Sequence, residues 1–454
     1  MSAGAAATPR PVSAPRRTFA ALAHPNYRRY IAGQAVSMVG TWMHSVAQPW
    51  LVLQMTGSAT AVGLVAGLRF LPVLLLAPYA GLVADRVDKR RLLVATQVAM
   101  GVSALLLGLL VVTGAVQLWM VFALAALMGV ANGFDSPARQ AFVSEMVGGD
   151  DLRNAVSLNS VTANAARIAG PAVAGVLIAT VGVGACFIVN AVSYLAVVQA
   201  FLGMDTRLLR RPAPQPRRSG QIREGLAHVR RTPELALPLL MMGLMGTLTY
   251  EFQVSLPVLG RGAFGAGAAT YGAMTAAMGA GAVAGGLVVA GRTRRAGLGR
   301  LSAWAAALGL TVLGAAAAPV MGLEIAALVA VGVCSISVLA LTNTTLQLAA
   351  APAMRGRVMA LWAVATMGST PVGGPIVGWV AQAGGPRLGV ALGGLAAFAA
   401  AGIGLAGRAR VAASARSGSA PREEAGSDRE ARYPQSGGER GRRLWEIGRR
   451  ATSS

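Results

Sequence analysis

The sequence is poor in the residue types that most chemistry uses. It holds two cysteines and three histidines in 454 residues. Cys186 and Cys334 both lie in apolar runs, and His24, His44 and His228 are scattered without ligand spacing. A disulfide framework and a metal site are therefore not expected, and no cofactor is called for. Charged residues make up only 13% and aromatics only 5%. A soluble chain of this size carries about twice that charge. No GxxxxGK[ST] is present, so a nucleotide-phosphate loop is excluded, and Gly279–Gly286 (GAGAVAGG) lacks a preceding strand and the required Lys. Residues 1–29 are rich in Ala, Pro and Arg, and the apolar run after them is too long for a cleavable leader.

What the chain has is apolar length. Hydrophobic residues reach 54%, glycines number 58, and the mean hydropathy is +0.57. About 20 consecutive apolar residues cross a bilayer as a helix. Twelve such runs occur, at 30–54, 60–83, 92–113, 117–134, 156–179, 184–203, 236–259, 270–291, 301–318, 323–350, 359–381 and 387–407. The fold class expected is an all-α integral membrane protein of twelve transmembrane helices. The parts are an N-terminal cytoplasmic tail (1–29), six helices (30–203), a cytoplasmic linker (204–235), six more helices (236–407) and a disordered cytoplasmic tail (408–454).

The net charge of +23 first suggests nucleic acid. With the N-terminus placed in the cytoplasm, however, 36 of the 40 Lys and Arg fall on the cytoplasmic side. The basic excess is then a topology signal. No basic groove interleaved with aromatics is visible, so nucleic acid is not an expected partner.

The two halves repeat. At an offset of 204, Gly81 meets Gly285, Arg90 meets Arg294 and Arg91 meets Arg295. The same offset aligns Gly170 with Gly374 and Pro171 with Pro375. One offset serving two motifs points to two pseudo-symmetric six-helix bundles. Such repeats place a substrate site at their interface.

The stretch GLVADRVDKRRLL (Gly81–Leu93) resembles the signature loop of the major facilitator superfamily, carried by Gly81, Asp85, Arg86, Asp88, Lys89, Arg90 and Arg91. The segment from Tyr27, with Asp135–Val147 and Asn164–Pro171, is similar to its enterobactin-exporter-like and macrolide-efflux-like branch. The resemblance covers about 28–405. It implies alternating access, a bacterial cytoplasmic-membrane location, and proton-coupled export of an antibiotic, drug or siderophore by a monomer. It also implies that Asp85 helps hold a cytoplasmic gate, with Asp135 and Arg139 as further partners. The second-half loop has Val289 and Ala290 at the positions of Asp85 and Arg86, so the gate is expected only in the first half. Uptake of a metabolite is the alternative within this fold. A membrane-embedded enzyme is disfavoured, because Glu145, Asp150 and Asp151 have no His beside them in the sequence.

Asp85, at the end of the second span, could face the N-terminus of the eleventh span near Val358, where a helix dipole favours an anion; alternatively the loop charges only anchor the loop. Three ionisable residues lie well inside spans: Arg69, Arg167 and Glu251. At about 1.5 Å per residue they sit roughly 14, 18 and 12 Å from the outer ends. Arg69 and Glu251 share a depth and differ in sign, so they are expected either to pair across the interface of the two halves or to face a wet cavity together. A buried carboxyl sheds its charge by binding a proton, which makes Glu251 the candidate coupling site. A static pair is the other reading.

In the first span Gln34, Ser37, Thr41, His44, Ser45 and Gln48 share one helix face, bordered by Trp42. That face lines a cavity or bonds a neighbouring helix. The resemblance favours spans one, four, seven and ten as cavity walls, and so Gln34, Thr41, Gln48, Tyr250, Glu251 and Asn343. Gly170, Pro171 and Gly175, with Gly374 and Pro375, read as helix kinks or tight packing; the first set resembles an antiporter motif of the superfamily.

Overall fold

The computed structural model describes residues 19–210, 221–290, 297–351 and 354–418. The chain divides into two compact units, Met1–Ala409 and Arg410–Ser454. The second is described only as far as Gly418, where it is helical. The linker residues 211–220 and most of the two tails lie outside the described residues.

Among its described residues the first unit is built of helices joined by short turns. The first helices are α1 (Pro25–Thr56), α2 (Ala59–Arg86), α3 (Lys89–Val112), α4 (Leu118–Gly149), α5 (Asp151–Thr180) and α6 (Val183–Leu202). A short basic helix follows, α7 (Gln221–Arg231). Then come α8 (Pro233–Leu248), α9 (Phe252–Phe264), α10 (Ala268–Ala290), α11 (Leu298–Ala317), α12 (Met321–Ala349), α13 (Arg355–Met367), α14 (Thr370–Gly384) and α15 (Pro386–Gly418). Backbone groups inside lipid must be satisfied within their own helix, which is why apolar runs of this length become helices.

Ten of these helical stretches are long and apolar enough to cross a membrane, α8 and α9 counting together. Two expected spans are outside the ten. Helix α1 is diluted by Asn26, Gln34, Ser37, His44 and Gln48, all buried. The eleventh span is interrupted between α13 and α14.

The structure corrects several expected boundaries. Residues 135–155, expected as a loop, continue α4 and α5. The turn between them narrows to Gly148, whose φ of 73° suits glycine. Helix α1 starts inside the expected tail, at Pro25. Residues 408–418, expected to be disordered, are helical. Part of the expected linker forms α7, whose Val229 packs on Leu235, Leu346, Ala350 and Val358.

Two spans break near mid-depth. The seventh interrupts at Thr249–Glu251, with Glu251 at φ −81°, ψ 37°. Thr249 donates to the Gly393 carbonyl at 2.7 Å, and the Tyr250 hydroxyl donates to the Ser335 carbonyl at 2.9 Å. The eleventh breaks at Gly368–Ser369, where Pro371 follows in the first turn of α14 and the Ser369 hydroxyl donates back to the Ala365 carbonyl at 3.2 Å.

These breaks reveal how the first six spans meet the last six. At the end bearing residues 53–60, α9 packs on α1 and α2, and α14 packs along α2. Ala59 N donates to Gln382 Oε1 at 2.7 Å, and Arg261 Nη1 donates to the Leu53 carbonyl at 2.8 Å. Toward the opposite end the partners change. Helix α8 packs on α11, α12, α13 and α14, and α13 touches α2 only slightly. Among the described residues, the two sets of helices thus pack on each other closely at the first end, while α8 and α13 make little contact with the first six helices.

Candidate functional site: a cavity at the helix breaks

The break in the seventh span aims Tyr250, Phe252, Gln253 and Leu256 into a cavity of about 100 Å³. Trp42, Ser45 and Val46 of α1, Arg167 of α5, and Tyr271, Thr275, Met278 and Gly279 of α10 complete its wall. Arg167 lies over the Trp42 ring, 5.2 Å from its centroid. The Trp50 ring stacks behind Tyr271 at 5.9 Å. The site therefore combines one cation with several aromatic faces.

Of the residues expected to line a cavity, Trp42 and Tyr250 do so here. Gln34, Ser37, Thr41, Gln48 and Asn343 do not line it. Of the α1 stripe, Ser45 reaches this cavity, while Thr41 and His44 turn toward α6. His44 Nδ1 lies 3.3 Å from Asn190 Nδ2, Thr41 is beside Tyr194, and a Cβ on Gly40 would meet Asn190 Oδ1 at 2.6 Å. Asn343 accepts from Gln347 along its own helix at 2.5 Å.

The expected Arg69–Glu251 ion pair is not formed. Arg69 faces His44 and Tyr194 within its own six helices. Glu251 is 3% exposed and turns away from the cavity to Thr370 and Gly373, and its Oε1 has no hydrogen-bond partner. The carboxyl thus sits at the N-cap of α9 and at the first turn of α14. Equal depth did not imply contact, because the two side chains point to different sectors.

The loop motif is held locally. Asp88 caps α3 and accepts from Arg91 N at 3.1 Å. Lys89 Nζ pairs with the buried Glu145 at 2.8 Å, and Arg90 donates to the Phe201 and Leu202 carbonyls at 2.6 and 2.7 Å. Gly81 and Arg86 lie in the last turns of α2, with Arg86 exposed. The Asp85 side chain lies outside the described residues, so its expected gate contact does too. Asp135 and Arg139, expected as its partners, pair with each other inside α4; Asp135 is fully buried and accepts from Thr96 Oγ1 at 3.0 Å and Gln97 Nε2 at 2.8 Å.

The glycine–proline motifs sit on close helix crossings. Gly170 lies against Val39 and Trp42 of α1, and Gly175 meets Ala269 and Gly272 of α10. Gly374 meets Gly63 of α2, and Pro375 lies beside Gly67. Both motifs are interior to their helices; the break of the eleventh span falls earlier, at Gly368–Ser369.

Some residues were not anticipated. Glu324, in the first turn of α12, is fully buried with neither carboxylate oxygen hydrogen-bonded; its charged neighbour is Arg387. As the second residue of an expected span, it was not counted as intramembrane. Gln253, Tyr271 and Thr275 were also missed, since nothing in their spacing marks a cavity wall. His24 reaches Asp151 at 2.9 Å, an acid–histidine contact bridging 127 positions.

A family model described as transmembrane secretion effector matches residues 16–429. The chain belongs to that family. Its major facilitator relatives include the staphyloferrin A transporter of Staphylococcus aureus, 29% identical over 40% of this chain and 46% of that protein. The multidrug efflux pump Tap of Mycolicibacterium fortuitum is 33% identical over 32% of this chain and 36% of that one. The chain spans about half the length, or less, of the curated relatives it matches. Among solved structures, an inward-facing bacterial homologue of the human lysosomal transporter Spinster superposes with a TM-score of 0.64 at 13% identity, covering 89% of this chain and 98% of that one. This likeness concerns the fold. The chain is a multi-pass membrane protein of the major facilitator type.

Proposed function

We propose that the protein exports small organic molecules from the cytoplasm across the bacterial cytoplasmic membrane by alternating access. The observation that carries this reading is the one-ended closure. The distal halves of the two broken spans, α9 and α14, seal on the first six helices, while α8 and α13 pack mainly among the last six. The closed end is the outer one in this reading, and both termini are cytoplasmic, in keeping with the basic residues gathered at the opposite end. One chain supplies both sets of helices, so a monomer suffices.

Protons are the coupling ion in this proposal, and Glu251 carries them. Its carboxyl is buried at the meeting point of two helix N-termini, where the dipoles favour the charged form and burial opposes it. Rocking of α14 against α9 changes that balance, so proton binding and conformation are linked. The Lys89–Glu145 pair and the Asp85 loop belong to the cytoplasmic gate.

The test is accumulation of labelled drugs and siderophores in cells with and without the protein, each with and without a protonophore. Export predicts lower accumulation with the protein, abolished by the protonophore. No change for any compound contradicts it, and accumulation that rises with expression indicates uptake.

A further inference from the structure

The hydrogen-bonding inventory of the cavity says what kind of molecule completes it. Three of its polar side chains are already committed. The Ser45 hydroxyl donates to the Trp42 carbonyl at 2.7 Å, the Thr275 hydroxyl to the Tyr271 carbonyl at 3.0 Å, and the Tyr250 hydroxyl to the Ser335 carbonyl at 2.9 Å. Tyr250 therefore offers its ring and keeps its hydroxyl elsewhere. Three polar groups, all of them donors, remain with no hydrogen-bond partner among the described residues: the Arg167 guanidinium, the Gln253 amide and the Trp42 indole N–H.

The electrostatics point the same way. Among the described residues, Arg167 is the one charged side chain in the cavity wall. No carboxylate lies within ion-pair distance of it among the described residues. Glu251, two positions from Gln253, turns to Thr370 and Gly373 instead, and Asp135 is held by Arg139, Thr96 and Gln97. The Trp42 face relieves the guanidinium by cation–π attraction, but supplies no counter-charge. A cationic ligand would meet a like charge, and a neutral one would leave the guanidinium uncompensated in a low-dielectric site. A carboxylate can accept from the guanidinium fork in bidentate fashion and from the amide of Gln253.

We propose that the cavity binds an organic anion: a carboxylate held by Arg167 and Gln253, on a flat apolar body set against Trp42, Tyr250 and Tyr271. The inference rests on this cavity being the substrate site of the proposed exporter, and it names that substrate's class.

The experiment uses the full-length protein in lipid nanodiscs. Three probes share one ring system: 2-naphthoate, 2-naphthamide and 2-naphthylmethylammonium. Dissociation constants are measured by equilibrium dialysis. Wild-type protein is expected to bind the naphthoate at least tenfold tighter than the amide, with the ammonium weakest. Arg167→Gln should bring the naphthoate to the level of the amide, and an unchanged thermal unfolding transition of the variant in nanodiscs shows that it is folded. Arg167→Lys should keep the preference for the anion, and Trp42→Ala should weaken naphthoate and amide alike. The proposal is overturned if the amide or ammonium binds as tightly as the naphthoate, if no probe binds saturably, or if Arg167→Gln keeps the anion preference. Selective anion binding by a protein that changes no compound's accumulation in cells upholds the site and defeats the export reading. Export without anion preference does the reverse.

Discussion

Gly63 of α2 and Gly374 of α14 meet backbone to backbone: a Cβ on Gly374 would stand 2.8 Å from the Gly63 carbonyl oxygen. On the other flank Gly272 of α10 meets α5 in the same manner, its Cβ position lying 2.6 Å from the Pro171 carbonyl and 2.8 Å from Gly175 Cα. The second span therefore crosses the eleventh much as the eighth crosses the fifth, which is what duplicated halves demand. Between lipid-immersed helices no hydrophobic drive operates, and close approach of small residues supplies the attraction. Many of the described glycines stand at such crossings.

Widening one crossing should open the closed end. In a background with Cys186 and Cys334 replaced by Ala, a cysteine at the buried Ala66, next to Gly374, should resist a membrane-impermeant maleimide. Adding Gly374→Val should raise its labelling rate several-fold. An unchanged rate would show that the crossing does not hold the closure.

Glu251→Gln removes a titratable group while keeping its shape. If Glu251 carries the proton, the variant should still exchange substrate down its own gradient. It should lose concentrative export, along with protonophore sensitivity. Concentrative export at the wild-type rate would remove Glu251 from the coupling step.

Asp135 is a structural anchor in this account. Asp135→Ala leaves the half-buried Arg139 without its counter-charge and takes the acceptor from Thr96 and Gln97, which should destabilise the fold. Thermal unfolding in detergent should show a clear loss of stability, with the double variant Asp135→Ala, Arg139→Leu recovering part of it. A single variant as stable as wild type would contradict the buried pair.

Lys89 and Glu145 tie the loop after α2 to the end of α4. Glu145→Lys alone places two like charges together and should slow transport several-fold. Exchanging both, Lys89→Glu with Glu145→Lys, should restore most of the rate. Failure of the exchange to improve on the single change would show that the charges act separately.

Much of the fold was legible in the sequence, because a run of twenty apolar residues has few fates other than a spanning helix. The breaks were not. No proline or glycine occupies Thr249–Glu251, and the seventh span opens there through a tertiary bond from Thr249 to the Gly393 carbonyl. Spacing showed that Gln34, Ser37, Thr41 and Gln48 share a face of α1, but spacing cannot say what that face meets, and α6 presents Asn190 and Ser193 to it. Depth likewise placed Arg69 and Glu251 at one level without fixing the direction of either side chain. Trp42, Arg167 and Tyr250 were each visible as candidates. Their convergence depends on the bend at Glu251, which brings residues 250–256 toward α1, α5 and α10.

The central claim is that closure alternates between the two ends. Pairs of spin labels read it directly: Thr56 with Ala383 at the closed end, and Val156 with Leu348 toward the parted end, all four positions being exposed. Pulsed distance measurements on protein in nanodiscs, across a range of pH, should yield two populations at each pair. A shift that lengthens Thr56–Ala383 should shorten Val156–Leu348 in the same sample. Distances that stay single and fixed at both pairs, or that lengthen together, would contradict alternating access.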